Sequence, residues 1–363
     1  MEREFQKGWQ VNKFTFLKDL FIQKIKSGEW AKGKKIPAER DLAVMFGVTV
    51  NTISKVITSL ETEGYLKRVH GRGTFVTGKT EKHYSIHIIL PEFSYGISPL
   101  ILAGIVNRSS SLGIALKISV HHNVVGRALE ITHSIIEGVP PDGVIIVPPQ
   151  VGGARERKRV VTMLLRRGIK VVVVDREVEG LELDEVILNN EEGVVALMKH
   201  LVDHHGVRDI LLVSEKPTRT TLARENAYKK FMEERGFEPR MKRLRYPLLR
   251  TSYEFFRELG RKGEIPGAVL AVNDLIAFGA EYAFLEHGLN IGKDVLLVGF
   301  DDLPFSAELP VPLTTFKQPF FEMGQKAVDL VVRRLDSPME PVHKETLRGR
   351  LIIRNSCGCN GNQ

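Results

Sequence analysis

Apolar positions along the chain follow two successive rhythms. Up to about residue 78 they recur at helical spacing. Leu17, Leu20, Phe21 and Ile25 predict an amphipathic helix that stops at Ser27-Gly28, ahead of a basic loop, KGKK. Leu42, Ala43 and Phe46 share one face of a second, short helix, and Gly47 ends it where a left-handed residue is usually needed. Thr49 suits an N-cap for a third helix, with Val48 and Ile53 at the spacing of a hydrophobic staple. Ile53, Val56, Ile57 and Leu60 then repeat at i, i+3, i+4, i+7, so that face is expected to be buried. YLKRV, HGRG and TFV read as two short strands around a glycine-rich turn. Three helices and a ribbon make a helix-turn-helix with a basic wing.

From Ser85 the rhythm changes. The β-branched runs SIHIIL, IALKISV, GVIIVPP, KVVVVD, DILLVS, AVLAVN and VLLVGF alternate with helix candidates near 98–111, 126–137, 155–167, 191–204, 222–235, 251–262 and 275–287. Alternation of this kind predicts parallel sheets covered by helices on both faces, an α/β fold. About 280 residues in this rhythm exceed one sheet, so two lobes around a cleft are expected. The polar stretch TGKTEKH reads as a linker, giving domains at 1–78 and 85–363 with a connection at 79–84. Ligands of such sheets bind beyond the carboxyl ends of the strands. That directs attention to residues 92–98, 148–150, Asp175-Arg176, Ser214, Asn273-Asp274 and Asp301-Asp302.

Charge sharpens the first domain. The chain holds 52 Lys+Arg and 44 Asp+Glu, a net of +8; residues 1–80 contribute 15 against 8, leaving 37 against 36 for the rest. The excess sits almost wholly on the winged unit, as expected where basic side chains neutralise phosphates and release counterions. No apolar run is long enough to span a membrane, and MEREFQKGWQ lacks the apolar core of a signal peptide, so a cytoplasmic protein without membrane partners is expected. The only cysteines, Cys357 and Cys359, are too few for a disulfide framework. A Cys-x-Cys could join a metal or redox site, but no His/Cys partner set lies at a zinc-like spacing, and no metal is expected. His121-His122 and His204-His205 lack the i, i+4 spacing that puts two histidines on one helical face. No GxSxG elbow, P-loop or GxGxxG is present, so neither catalysis nor a cofactor is expected.

PAERDLA, FGVT, LETEGYL and GRGTFV, in this order over residues 12–78, resemble the winged-helix domain of GntR-type bacterial transcription regulators. The resemblance implies that Arg40 contacts DNA and that the recognition helix begins at Val50, Asn51, Thr52, Ser54 and Lys55. Many members carry arginine at the Val50 position and often at that of Ser54. Without them bidentate Arg–guanine pairs are not available there, so Lys55 is left to supply charge and Asn51 or Thr52 hydrogen bonds. His70, Gly71 and Arg72 form the wing tip, which in the family reaches the minor groove or its phosphates.

A second resemblance covers residues 84–359. VVVVDR, TLARENAYKKF, AVLAVNDLIAFGA and VGFDDLPFSAELPVPLTTFKQPFFEMGQKAVDLVVRRL resemble the effector domain of LacI-type repressors, itself similar to periplasmic sugar-binding proteins. Joined to a GntR-like head, this is the arrangement of the arabinose-repressor subfamily. The resemblance implies that Arg224, Asn273 and Asp301 bind sugar hydroxyls and that Asp175 and Gln318 line the cleft. Tyr95 and Ser98 are weaker candidates from the first strand's loop. For Asp175, Asn273 and Asp301 helix or turn capping is the structural alternative, and Asp274 could instead serve a lobe or subunit interface. The implied function is a repressor, homodimeric on double-stranded operator DNA, whose affinity is set by a small sugar, an arabinose-like pentose being favoured. A transport-type sugar-binding protein, a regulator answering to a nucleoside or another sugar, and an enzyme carrying a DNA-binding head are the alternatives.

Overall fold

The computed structural model describes residues 13–77, 84–92, 96–245 and 248–359. It divides into two compact units, Met1–His83 and Tyr84–Gln363.

In the first unit α1 (Lys13–Lys26), α2 (Glu39–Met45) and α3 (Val50–Thr62) precede a hairpin of β1 (Leu66–Val69) and β2 (Gly73–Val76). The helical stripes converge as their spacing predicts. Leu17, Phe21, Leu42, Ile53, Ile57 and Leu60 are buried in one cluster with Leu66 and Val76 of the hairpin. Gly47 takes φ 59°, and the chain turns by 116° between α2 and α3, within the range of helix-turn-helix units. Thr49 caps α3, its hydroxyl accepting the Thr52 N–H at 3.2 Å. Lys35 pairs antiparallel with Phe75 and adds a third chain segment beside the wing.

The second unit holds two six-stranded sheets. The first is wholly parallel, in the order β13-β7-β6-β5-β3-β4. Its strands are β3 (Ser85–Leu90), β4 (Ala115–Val120), β5 (Gly143–Ile146), β6 (Lys170–Val174), β7 (Asp184–Leu188) and β13 (Lys344–Leu347). Helices α4 (Ser98–Ser111), α5 (Val125–Glu137) and α6 (Ala154–Arg166) belong to this lobe. The second sheet runs β14-β12-β11-β10-β8-β9, parallel except for the β12–β14 pair. It comprises β8 (Ile210–Ser214), β9 (Arg240–Arg243), β10 (Ala268–Ala271), β11 (Leu296–Asp301), β12 (Thr314–Lys317) and β14 (Arg350–Ile352). Its helices are α7 (Asn190–Lys199), α8 (Arg219–Glu234), α9 (Leu248–Lys262) and α10 (Asp274–Glu286). The last long helix, α11 (Phe320–Asp336), leaves the second sheet and packs on β5, β6 and β7 of the first. The chain therefore passes between lobes three times: after β7, after β12 and after β13. Each sheet separates two apolar clusters, as burial of both faces requires. No single helix among the described residues is long and apolar enough to cross a membrane.

The pairing of α4 with α11 leaves no room for side chains at its crossing. A Cβ on Gly104 would lie 1.9 Å from the Phe321 carbonyl oxygen, and one on Gly324 would lie 2.1 Å from that of Ile101. Both obstacles are backbone, so relief requires moving a whole helix. Gly104→Ala is expected to destabilise the second unit by about 1–3 kcal/mol, despite the gain of about 1 kcal/mol in helix propensity. Urea unfolding followed by circular dichroism measures this, and an unchanged midpoint would contradict the close packing.

Candidate functional site

The outer face of the winged unit carries Arg40, Val50, Asn51 and Lys55 exposed on α2 and α3, with Thr52 half-buried beside the Thr49 cap. His70, Gly71 and Arg72 are exposed at the wing tip, where Gly71 has φ 73°. Arg40, Lys55 and Arg72 have no hydrogen-bonded or ionic partner among the described residues. Ser54 is engaged within the head. Its hydroxyl and its carbonyl each accept from Arg68 Nη2 at 3.3 Å. Arg68 also reaches Glu39 at 2.8 Å and Glu61 at 3.2 Å. It is thus the clamp between wing, α2 and α3 rather than part of the free basic surface. Sequence reasoning missed it because the partners come from two other elements, α2 and α3.

In the second unit the strand ends converge on one cleft of about 90 Å³, on the order of six to nine times the room a single water needs. Its lining includes Ser98, Asp175, Arg224, Asn273, Asp301 and Gln318, together with Glu92, Gln150, Arg176 and Glu215. Tyr95 lies outside the described residues. Ser98 is buried in the first turn of α4.

Arg224 is the buried centre of this ring. Its Nε donates to Asn190 Oδ1 and its Nη1 to the Val272 carbonyl, both at 2.7 Å. The guanidinium lies 3.7 Å above the Phe300 ring and 3.7 Å from Asp301 Oδ1. Burial alone would lower its pKa, and the Asp301, Asp175 and Glu215 carboxyls oppose that. Asp301 is pushed well above the usual carboxylate range by burial, against the pull of Arg224. Gln318 Nε2 donates to Asp301 Oδ1 at 2.6 Å, yet Gln318 Oε1 is buried with no hydrogen-bond partner among the described residues. A buried acceptor left in this way suits a ligand that can donate to it.

Asp175 and Glu215 are likewise raised by burial, with Arg176 as the first opposing charge for each. Asp175 and Asp301 take φ 66° and 127°, conformations that cost a non-glycine residue energy and cluster at ligand clamps. Asn273 does two things at once. Its Oδ1 caps α10 through the Ile276 N–H at 3.1 Å, while its Nδ2 faces Glu215 at 3.4 Å. The capping alternative is therefore real, and it does not remove Asn273 from the cleft. Asp274 has no interface role within this unit. It is buried, accepting from Ser306 at 2.6 Å, Thr315 at 2.7 Å and the Leu303 N–H at 2.9 Å.

Polar links cross the cleft between lobes. Gln150 Nε2 donates to Glu215 Oε1 at 2.8 Å, and the Thr220 hydroxyl donates to the Asp175 carbonyl at 3.0 Å. Glu215 was the main omission from the residue-level reading, whereas Gln150 lay in the flagged stretch 148–150 without being assigned a role. Both follow strand ends, so the strand-end rule already pointed to their neighbourhood.

Linear spacing showed no zinc-like His/Cys set, but the fold brings one group of these residues together. His200, His205, Cys357 and Cys359 place one ligand atom each within 4.8 Å of one another. They lie more than 150 residues apart in two groups, and only folding joins them.

Residues 15–76 match the family described as bacterial regulatory proteins, gntR family, and residues 198–357 match the periplasmic binding protein-like domain. The chain joins a gntR-family head to a periplasmic-binding-protein-like domain. It is thus a transcriptional regulator, with the domain arrangement of a repressor. An arabinose metabolism transcriptional repressor of Geobacillus stearothermophilus is 26% identical over 95% of the regulator and 97% of its own length. The transcriptional repressor PurR of Pasteurella multocida is also 26% identical, over 87% and 97%. Among solved structures, a lac repressor dimer bound to operator and an anti-inducer superposes with TM-score 0.66 at 21% identity, covering 82% of the regulator and 97% of that chain. A LacI family regulator from Enterococcus faecium with bound ribose gives 0.65 at 21%, covering 77% and 100%. These structural likenesses concern the fold. The relatives are regulators rather than enzymes.

Proposed function

We propose that the regulator is a sugar-controlled repressor that binds operator DNA as a homodimer. The observation that carries the ligand class is the cleft: a small space ringed by Arg224, Asp301, Gln318, Asp175, Asn273 and Glu215, with a buried amide oxygen on Gln318 that has no partner among the described residues. Directional donors and acceptors around a small volume suit a neutral polyol. An arabinose-like pentose is the preferred ligand, in keeping with the arabinose-metabolism relatives.

On DNA, Arg40, Lys55, His70, Gly71 and Arg72 meet phosphates or groove edges, while Asn51 and Thr52 read bases. Val50, 43% exposed, offers apolar contact to a thymine methyl in place of guanine hydrogen bonds. Two heads would engage half-sites about 34–36 Å apart or a multiple of it. The ligand shifts operator affinity only so far as it binds two lobe arrangements unequally.

A thermal-shift screen with pentoses, hexoses and nucleosides, repeated as DNA-binding shifts, tests this reading. A pentose is expected to raise the melting temperature and change operator retention over the same concentrations. Stabilisation by nucleosides alone, or by no polyol at all, would overturn the ligand class.

A further inference from the structure

We propose that His200, His205, Cys357 and Cys359 form a closed, four-ligand site for a zinc ion in the second lobe. This rests on a different part of the molecule from the cleft and does not depend on the function proposed above.

The first pair of ligands comes from an unusual helix end. After Lys199, α7 continues as a π-turn, His200–His204, closed by the His205 N–H on the His200 carbonyl at 3.3 Å. In an ordinary α-helix residues five apart point about 140° away from each other. The wider π-turn brings them onto one side, and such turns occur often at functional sites. His200 Nε2 and His205 Nε2 consequently stand 3.2 Å apart. His204 stacks on His200 at 5.2 Å between ring centres, at the solvent rim.

The second pair comes from the C-terminal tail. After β14 the chain makes a 3-10 turn, Asn355–Cys357, and reverses at Gly358 with φ 86°. A side chain at Gly358 would also meet the Gly292 carbonyl oxygen at 2.4 Å, so this reversal depends on glycine twice over. It directs both Cys357 and Cys359 at the π-turn. Cys357 Sγ lies 3.2 Å from His200 Nε2, and Cys359 Sγ lies 3.4 Å from His205 Nε2 and 3.9 Å from His200 Nε2.

These separations can be compared with a zinc tetrahedron. Zn–N near 2.0–2.1 Å and Zn–S near 2.3 Å imply ligand edges of about 3.3 Å for N···N, 3.6 Å for N···S and 3.8 Å for S···S. Four of the six edges, those of His200 to His205, Cys357 and Cys359 and of His205 to Cys359, therefore stand within about 0.4 Å of these values, and the other two lie within 4.8 Å. Two imidazoles and two thiolates with no open position are the ligand set of structural zinc, and two thiolates neutralise the dication. The Thr314 hydroxyl, 3.1 Å from Cys357 Sγ, can donate to the thiolate and so supports the ligand from behind. An ion here would tie the tail that follows the edge strand β14 to the end of α7, closing one side of the second lobe.

The test uses the full-length protein, prepared reduced and metal-free and then given Zn²⁺ or Co²⁺. One zinc per chain is expected by elemental analysis after buffer exchange, with a rise in melting temperature that depends on zinc concentration. Co²⁺ is expected to show thiolate-to-metal charge transfer and the strong visible bands of a tetrahedral centre. Cys359→Ser, a conservative change at a half-buried position, should lose the zinc, the spectrum and the stabilisation together, as should His205→Ala. His204→Ala should keep all three. Substoichiometric zinc in the reduced wild type, a cobalt spectrum unchanged by Cys359→Ser, or loss in His204→Ala with retention in His205→Ala would overturn the assignment. So would a Cys357–Cys359 disulfide that persists under the reducing preparation.

Discussion

Replacing Arg224 by Gln is expected to abolish the regulator's response to its ligand while leaving operator binding intact. The guanidinium holds Asn190, the Val272 carbonyl and Asp301 in one arrangement, and it stacks on Phe300. Glutamine cannot reproduce that fork or its charge. Loss of a charged hydrogen bond to ligand corresponds to about 1.5–3 kcal/mol, roughly 10- to 150-fold in affinity. The surrounding acids suffer as well. Asp301, already raised by burial, loses the cation that opposes the rise and is pushed further in the same direction. Breaking a buried pair also destabilises by about 3–5 kcal/mol. The melting temperature of the unliganded variant must therefore be measured beside the ligand titration. Operator retention by the head, a separate compact unit, should stay at the wild-type level without ligand. A variant that still changed DNA affinity at wild-type ligand concentrations would remove Arg224 from the binding site.

Arg40→Ala should show the opposite pattern. Arg40 is exposed at the start of α2 without a partner among the described residues, so its loss should leave both the melting temperature and ligand-induced stabilisation unchanged. If it contacts a base edge or phosphate, each head loses about 1–3 kcal/mol, and a dimer pays twice. Operator affinity is then expected to fall at least tenfold at fixed salt. The slope of log affinity against log salt should decrease by about one for each phosphate contact removed. Equal loss of operator and ligand binding would mark Arg40 as structural instead.

Local pattern carried far in the winged head. Its core positions, the Gly47 reversal and the Thr49 cap could be read directly, because helix stripes and caps are made by residues a few positions apart. The seven apolar runs of the second unit likewise became strands; six are largely buried, where continuous hydrophobic sequence is expected, whereas the edge strand β4 has no buried residue. β9, RMKR, was not legible, because a charged edge strand carries no apolar rhythm. β7 and β12, of five and four residues with mixed polarity, form no apolar run and escaped too. Helix α8 begins earlier than its periodicity suggests, because Thr218 and Thr221 form a capping box that adds a turn before the first apolar position.

By itself the sequence determined two domains, their fold classes, the concentration of positive charge on one of them and the strand ends where a cleft should form. All four follow from composition and short-range periodicity. Tertiary structure alone decided which polar residues face one another. It placed Glu215 across the cleft from Gln150, committed Arg68 and Ser54 to the wing clamp, and buried Asp274 within its own lobe. It also gathered two cysteines and two histidines that a linear spacing rule had separated. Pairings between residues far apart in sequence depend on how sheets and helices stack, and no local pattern encodes that distance.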